Sequence, residues 1–234
     1  MEPLVSVILT TKNEAKYIEE TLKALKNQSY RRIEVIVSDA CSSDETVEIA
    51  RKYADKIVVK ETNIAGGRNL GAKHARGEIL VFLNADVILE MDWVKNSLKK
   101  LQLEDVAMLV GSFSPLEKGL RAKIFCRLCN LFVEFCFLLG RAQTCGECTI
   151  AVKRSAFESV GGFREDLACF EDVDLGLRVN KVGRVVLDKG CRGVASLRRF
   201  EREGYLKWGL IWLYIGLKYQ LVGKSPLEKY PCVR

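Results

Sequence analysis

A chain of 234 residues, 48% of them hydrophobic, has the length of one domain and enough apolar material for a buried core, which excludes a disordered chain. Its 37 Lys and Arg against 30 Asp and Glu leave a net charge of +7, but the two signs are interspersed, so no nucleic acid partner is expected. A solvated surface with a mild attraction for anions follows, nucleotide diphosphates and acidic lipid head groups among them.

Four short apolar runs rich in Val and Ile, Val5–Leu9, Glu34–Ser38, Lys56–Val59 and Ile79–Leu83, each read as a strand buried on both faces. The first has neither a basic leader nor a small-residue cleavage site, so a signal peptide is not expected. Between the runs, Ala15–Lys26 places Ile18, Leu22 and Leu25 at helical spacing, and Ser43–Tyr53 opens on a capping signature, Ser-Ser-Asp-Glu. Ala65–Arg76 supplies a third helix, entered through a Gly66-Gly67 turn. Strand and helix alternating in this way predict an α/β domain with a mostly parallel central sheet, helices on both faces and right-handed crossovers. Ligands of such sheets bind beyond the carboxyl ends of the strands.

The second half is less regular. Helical patterns at 91–103, 119–140 and Phe170–Lys181 alternate with strand-like runs at 106–113, 149–153, 184–188 and 192–198, and an apolar helix covers 205–222. No internal repeat, low-complexity tract or linker marks a second domain. The expectation is one domain over 1–234, with a nucleotide-binding half (1–87), an acceptor-binding half (88–200) and a C-terminal helix and tail (201–234).

A membrane-spanning helix needs roughly 20 mostly apolar residues. Arg127 and Glu134 interrupt 124–140, and Lys207 and Lys218 bracket 208–217, so a cytoplasmic protein is expected. The segment 205–222 is apolar nearly all round, with Trp208, Trp212 and Tyr214 and basic Arg202, Lys207, Lys218 and Lys224 along and beside it. Such a helix is buried in a core or dimer contact, or lies in a lipid interface; a peripheral contact with the inner face of the membrane is the expectation adopted. Nine cysteines without a secretory context imply no disulfide framework. Cys126, Cys129, Cys145 and Cys148 have the spacing of a structural zinc site, but the first pair lies in an apolar helical stretch, and core thiols are the expected outcome.

Four polar clusters fall where the strands should end. Thr10-Thr11-Lys12-Asn13-Glu14 follows the first strand. In Ser38–Asp44, Ser42, Ser43 and Asp44 already supply a turn and helix cap, which frees Asp39 to accept from a pyrimidine imino group or a ribose hydroxyl. Asn84-Ala85-Asp86 ends the fourth strand, and Mg2+ or Mn2+ commonly takes one or two protein carboxylates with substrate phosphates and water. Arg68, on the turn into the third helix, either adds charge to a diphosphate there or is a surface arginine. Glu171, Asp172 and Asp174 open a helix, where they suit its dipole. Crowding also raises the pKa of one member towards use as a general base. Arg198-Arg199 can close over a diphosphate leaving group or be merely solvated. His74 sits among Lys73 and Arg76, away from the strand ends, and is expected at the surface.

Together the stretches V-S-V-I-L-T-T-K-N-E (5–14), V-S-D-A-C-S-S-D (37–44), G-G-R-N-L-G-A (66–72), G-E-I-L-V-F-L-N-A-D (77–86), G-G-F (161–163) and E-D-V-D-L-G-L-R (171–178) resemble the family-2 glycosyltransferases of the GT-A fold in order and spacing. The resemblance implies an inverting, metal-dependent transfer of a sugar from a nucleotide-diphosphate donor to an acceptor hydroxyl, on a glycan or lipid-linked acceptor. It implies donor contacts at Thr10, Lys12, Glu14, Asp39, Arg68, Asn84 and Arg199, a metal at Asp86, and Asp172 as the base with Glu171 beside it. Asn84 departs from the family's more frequent Asp and removes one charge from the metal motif. A sugar nucleotidyltransferase would carry a Gly-rich loop after the first strand, where this chain has Thr10–Glu14. A polyprenyl-phosphate glycosyltransferase and a nucleotide-sugar-binding protein without turnover are the remaining alternatives.

Overall fold

The computed structural model of the chain describes residues 2–142, 144 and 149–222. Strands β1 (Val5–Thr11), β2 (Ile33–Asp39), β3 (Lys56–Val59) and β4 (Ile79–Asn84) alternate with helices α1 (Ile18–Lys26), α2 (Thr46–Ala50) and α3 (Ile64–His74). All pairs among these four strands are parallel. Alternation along β1, β2 and β4 fills both faces of the sheet: Val5, Val7 and Leu9 enter one core layer with Val35, Val37, Val81 and Leu83. Ile8, Ile36, Leu80 and Phe82 enter the other.

The second half departs from the mostly parallel sheet expected. It contributes β5 (Val87–Leu89), α4 (Trp93–Leu101), β6 (Val106–Pro115), α5 (Leu120–Leu138), β7 (Ile150–Lys153), α6 (Arg154–Ser159), α7 (Glu171–Val179), β8 (Arg184–Ala195), α8 (Arg198–Glu203) and α9 (Tyr205–Val222). The eight strands form one mixed sheet in the order β3-β2-β1-β4-β7-β6-β8-β5. β7 pairs antiparallel with both β4 and β6, and β5 pairs antiparallel with β8. The two runs expected at 184–188 and 192–198 are one strand, β8, with a register shift opposite Gly111/Ser112 that lets it follow β6 along its length.

The Gly66-Gly67 pair forms no turn. Asn63 caps α3 by accepting from the Gly66 amide at 2.7 Å, and both glycines lie inside the helix. Gly67 allows close approach of α3 to Thr10 on β1, and Gly71 shows the same more sharply: an added Cβ would sit 2.3 Å from Ile8 Cγ2. Gly71→Ala is therefore expected to destabilise the protein by about 1–3 kcal/mol through overpacking, although alanine is the better helix former by about 1 kcal/mol. Urea unfolding checks it, and a midpoint at or above that of the parent chain would refute the tight α3–β1 contact.

Cys126 is buried and Cys129 partly buried against the core, on α5; Cys145 and Cys148 lie outside the described residues, so the four-cysteine zinc motif stays untested. Among the described residues no helix is long and apolar enough to cross a membrane.

Candidate functional site

Parallel register brings the polar ends of three strands to one edge. Thr10 lies opposite Ser38 on β2 and Asn84 on β4, and Thr11 lies opposite Asp39. Asp39 is fully buried. It accepts from Thr11 Oγ1 at 2.7 Å, the Ser42 amide at 2.7 Å and Ser42 Oγ at 2.5 Å, so it shares the turn that the sequence assigned to Ser42, Ser43 and Asp44 alone. Lys12 is half-buried at the start of the adjoining loop, where Asn13 takes a left-handed φ of 56° and accepts from the Ser43 amide at 2.9 Å.

Two residues past β4, Asp86 meets Arg198 from the start of α8. Arg198 Nη2 donates to both oxygens of Glu14 at 2.8 and 2.9 Å and lies 3.3 Å from Asp86 Oδ2. Its guanidinium covers the Tyr17 ring at 4.1 Å. Burial raises the Asp86 carboxyl above its ordinary value, with the Arg198 charge working against the rise. Glu14 is thus held by Arg198, a contact that the sequence did not reveal. The adjacent arginines divide: Arg199 stacks over Trp208 at 5.3 Å on the α9 side.

Arg68 is neither in a turn nor at the surface. It lies within α3, only 2% exposed, and its guanidinium bridges two other clusters: Nη1 donates to Glu171 Oε1 at 2.6 Å and Nη2 to Asn84 Oδ1 at 3.1 Å. Phe163 flanks it at 5.2 Å. The Gly161-Gly162-Phe163 motif makes that contact possible, because both glycines adopt positive φ and turn the chain so that the Phe163 amide donates to Asn69 Oδ1 on α3 at 2.9 Å.

Phe170, with a φ of 66°, holds a conformation sparsely used by bulky residues and points the chain into the acidic turn of α7. Glu171, Asp172 and Asp174 are all buried there. The member whose carboxyl is raised is Glu171: burial lifts it, the neighbouring Asp172 charge adds, and Arg68 opposes. Asp172 Oδ2 accepts from Thr144 Oγ1 at 2.6 Å and Oδ1 from the Val173 amide at 2.8 Å. Asp174 serves the scaffold, accepting from Arg178 Nε and from Tyr219 Oη, both at 2.6 Å. That second bond ties α9 to the acidic turn.

A cavity of about 950 Å³ collects Arg68, Asn84, Asp86, Glu171, Asp172 and Arg199 on its wall, joined by Thr144 and Arg198. Thr10, Lys12, Glu14 and Asp39 do not line it; they belong to the strand edge next to Asn84 and to the loop that holds Arg198. His74 is remote, its ring nitrogen 2.9 Å from the Leu70 carbonyl oxygen. Thr144 is the residue that sequence reasoning left out. A lone threonine in an irregular stretch carries no signal; Arg198 was visible only as half of a basic pair.

Among the described residues no group of three His, Cys, Asp or Glu side chains could hold a metal ion by itself. Asp86 offers a single carboxylate on the cavity wall beside Arg198, and the Asn84 oxygen accepts from Arg68 at 3.1 Å. This set fits Mg2+ or Mn2+ shared with the phosphates of a ligand, and does not fit an all-protein cage.

Relatives agree with this architecture. An uncharacterized glycosyltransferase of Rickettsia prowazekii is 28% identical over 197 residues, which cover 80% of this chain and 61% of that protein; the chain thus spans about three fifths of its length. Residues 1–349 of TarS from Staphylococcus aureus, solved with UDP-GlcNAc, superpose with a TM-score of 0.65 at 21% identity, covering 82% of this chain and 58% of theirs. The mannosyltransferase PcManGT of Pyrobaculum calidifontis, solved with GDP-Man and Mn2+, superposes with a TM-score of 0.71 at 25% identity, over 97% of this chain and 66% of that one. The sequence profile of glycosyl transferase family 2 matches residues 6–161, and the chain belongs to that family, on a GT-A-like fold.

Proposed function

We propose that the protein transfers a sugar, with inversion, from a nucleotide-diphosphate sugar to an acceptor hydroxyl, with Asp172 as general base. The observation that carries this reading is the meeting, on one cavity wall, of Asp86 from the end of β4, Arg198 and Arg199 from α8, and Glu171 and Asp172 from α7. Family membership and the donors bound by TarS and PcManGT support the donor class.

Donor binding falls to the strand edge. Asp39 and Thr10 contact the base and ribose, Lys12 and Arg199 add positive charge for the phosphates, and Glu14 positions Arg198. Asp86, with Asn84 beside it, would hold Mg2+ or Mn2+, which when bound would supply charge neutralisation for the departing diphosphate. Arg68 holds Glu171 in a buried pair at 2.6 Å, which leaves Asp172 as the carboxylate offered to the acceptor. Asp172 takes the hydroxyl proton as the oxygen attacks the anomeric carbon from the face opposite the diphosphate. The bond to the acceptor oxygen forms, the bond to the diphosphate oxygen breaks, and the configuration inverts.

The acceptor is placed at a membrane surface, with α9 as the peripheral contact. Its Leu206, Leu210, Leu213 and Tyr214 are exposed, and Lys207 and Lys218 lie along it, as an interface helix requires. A second reading, in which the lipid phosphate itself is the acceptor, is favoured by the positive charge of Arg199 on the cavity wall. Thermal unfolding with a panel of UDP and GDP sugars, with and without Mn2+, tests the donor assignment: at 100 times its Kd a ligand adds about 2.7 kcal/mol of stability. At least one nucleotide sugar is expected to raise Tm only when Mn2+ is present. If none of them shifts Tm under either condition, the glycosyltransferase site as drawn is wrong.

A further inference from the structure

The proposed metal ligand already has a cation against it. Arg198 Nη2 donates to both oxygens of Glu14 at 2.8 and 2.9 Å and stands 3.3 Å from Asp86 Oδ2, so one guanidinium serves two carboxylates, one from the loop after β1 and one from the end of β4. The Glu14 and Asp86 side chains are only 11% and 16% exposed, too buried for solvent and salt to screen them well. Left without a cation they would repel one another. Both sides of the contact are anchored. The Glu14 amide donates to Thr46 Oγ1 at 2.8 Å, and the amide of Leu197, next to Arg198, donates to the two oxygens of Glu117 at 2.8 and 2.9 Å. Leu197 and Phe200 are buried on either side of the arginine. The backbone of α8 is therefore held, and a change of partner falls to the head of the Arg198 side chain.

Any divalent ion taken up by Asp86 comes within a Debye length, about 8 Å, of that guanidinium, which Glu14 and the Tyr17 ring at 4.1 Å keep in place. Repulsion then opposes an ion that arrives alone. A diphosphate that arrives alone meets the opposite difficulty, the negative charge of Asp86. Together they cancel: the ion turns to Asp86 and the phosphate oxygens to Arg198, so every charge keeps a partner. Arg198 reaches Glu14 and Asp86 through Nη2, one arm of a fork that carries five N–H groups, so it can exchange Asp86 for phosphate without releasing Glu14. We propose that Arg198 is the cation of Asp86 while no donor is bound, and that it admits Mg2+ or Mn2+ only together with a nucleoside diphosphate. This rests on the metal and donor assignment above and adds the residue that couples the two. A purely structural Arg198, a strut between α8 and the Glu14 loop, would leave metal affinity indifferent to its charge.

Mn2+ alone is the probe, followed on the full chain by electron paramagnetic resonance, with UDP or GDP added in a second series. The parent chain is expected to bind Mn2+ weakly by itself and about 10–100-fold more tightly with the nucleotide that fits. Arg198→Gln should tighten nucleotide-free binding about tenfold or more. Arg198→Lys, which keeps the charge, should leave it near the parent value. Damage to the fold would lower metal affinity, not raise it. Thermal unfolding gives a second reading: Arg198→Gln lowers Tm in EDTA and Mn2+ alone restores it, whereas the parent Tm does not respond to Mn2+ alone. Equal nucleotide-free affinity in the parent chain and Arg198→Gln overturns the proposal, as does tight binding by Arg198→Lys. A parent chain that binds Mn2+ as tightly without nucleotide as with it overturns the proposal whatever the variants do. The gain should vanish when Asp86→Ala is combined with Arg198→Gln, and a gain that survives there places the ion away from Asp86 and refutes the coupling. None of these measurements uses a sugar or an acceptor, so they leave the transfer reading standing; that reading fails instead if no nucleotide sugar shifts the parent Tm.

Discussion

Asp172→Asn is expected to abolish transfer, lowering kcat by about 10²–10⁴-fold, while nucleotide-sugar affinity in the presence of Mn2+ stays near that of the parent chain. Asparagine keeps the size of the side chain and an oxygen for the Thr144 hydroxyl, which donates to Asp172 Oδ2 at 2.6 Å, but it cannot take a proton. An acceptor alcohol ionises too weakly near neutral pH to attack unaided, so the loss falls on chemistry rather than on donor binding. The neighbouring carboxylate cannot substitute, because Glu171 is committed to Arg68 in a buried pair at 2.6 Å. A lipid phosphate acceptor, already ionised at pH 7, would need no base. Transfer and donor hydrolysis measured side by side decide the matter: near-parental transfer by the variant removes Asp172 from the mechanism and makes the lipid phosphate the acceptor, and hydrolysis without transfer in the parent chain points to a missing acceptor rather than a missing base.

Asp86→Ala should remove metal-dependent donor binding while the chain still folds. Asp86 stands past the end of β4, on the cavity wall, and contributes no apolar contact to either core layer. Arg198 loses its 3.3 Å neighbour but keeps both oxygens of Glu14, so no buried cation is stranded by the change. With Asn84 uncharged, Asp86 is the single anionic protein ligand proposed for the metal, and its loss leaves Mg2+ or Mn2+ to phosphates and water alone. Calorimetry with a nucleotide sugar and Mn2+ gives the answer. Affinity equal to that of the parent chain would place the metal elsewhere.

The parallel half of the fold was legible because its signal is local. β1, β2 and β4 are short apolar runs that fill both core layers, and each intervening helix shows its own periodicity or cap; β3, expected to be buried on both faces, is an edge strand with Val59 52% exposed. The second half hides its pairing: nothing in Ile150–Lys153 says that it runs antiparallel between β4 and β6, and β5 at three residues is too short to carry a pattern. The site follows the same division. Polar clusters after apolar runs marked Thr10, Asp39 and Asp86 as candidates, of which Asp86 lines the cavity, whereas the contact between Arg68 and Glu171 spans 103 residues and that between Glu14 and Arg198 spans 184. Only the folded chain brings such partners together. Arg68 was left between two readings for a related reason: helical position alone does not tell a surface arginine from one drawn inwards by a buried carboxylate.

The placement of β7 also bears on how the chain reaches this shape. β1 to β4 are linked by short crossovers and can pair as soon as the first 84 residues are available. The join between the two halves, by contrast, requires Ile79–Phe82 to wait for Ile150–Lys153, a loop whose closure entropy is lost before its contacts are gained. Until then the β4 edge is an unpaired template with Leu80 and Phe82 beside it, open to any other extended segment. During synthesis from the N-terminus, the interval between residues 84 and 153 is therefore when this protein is most exposed to aggregation.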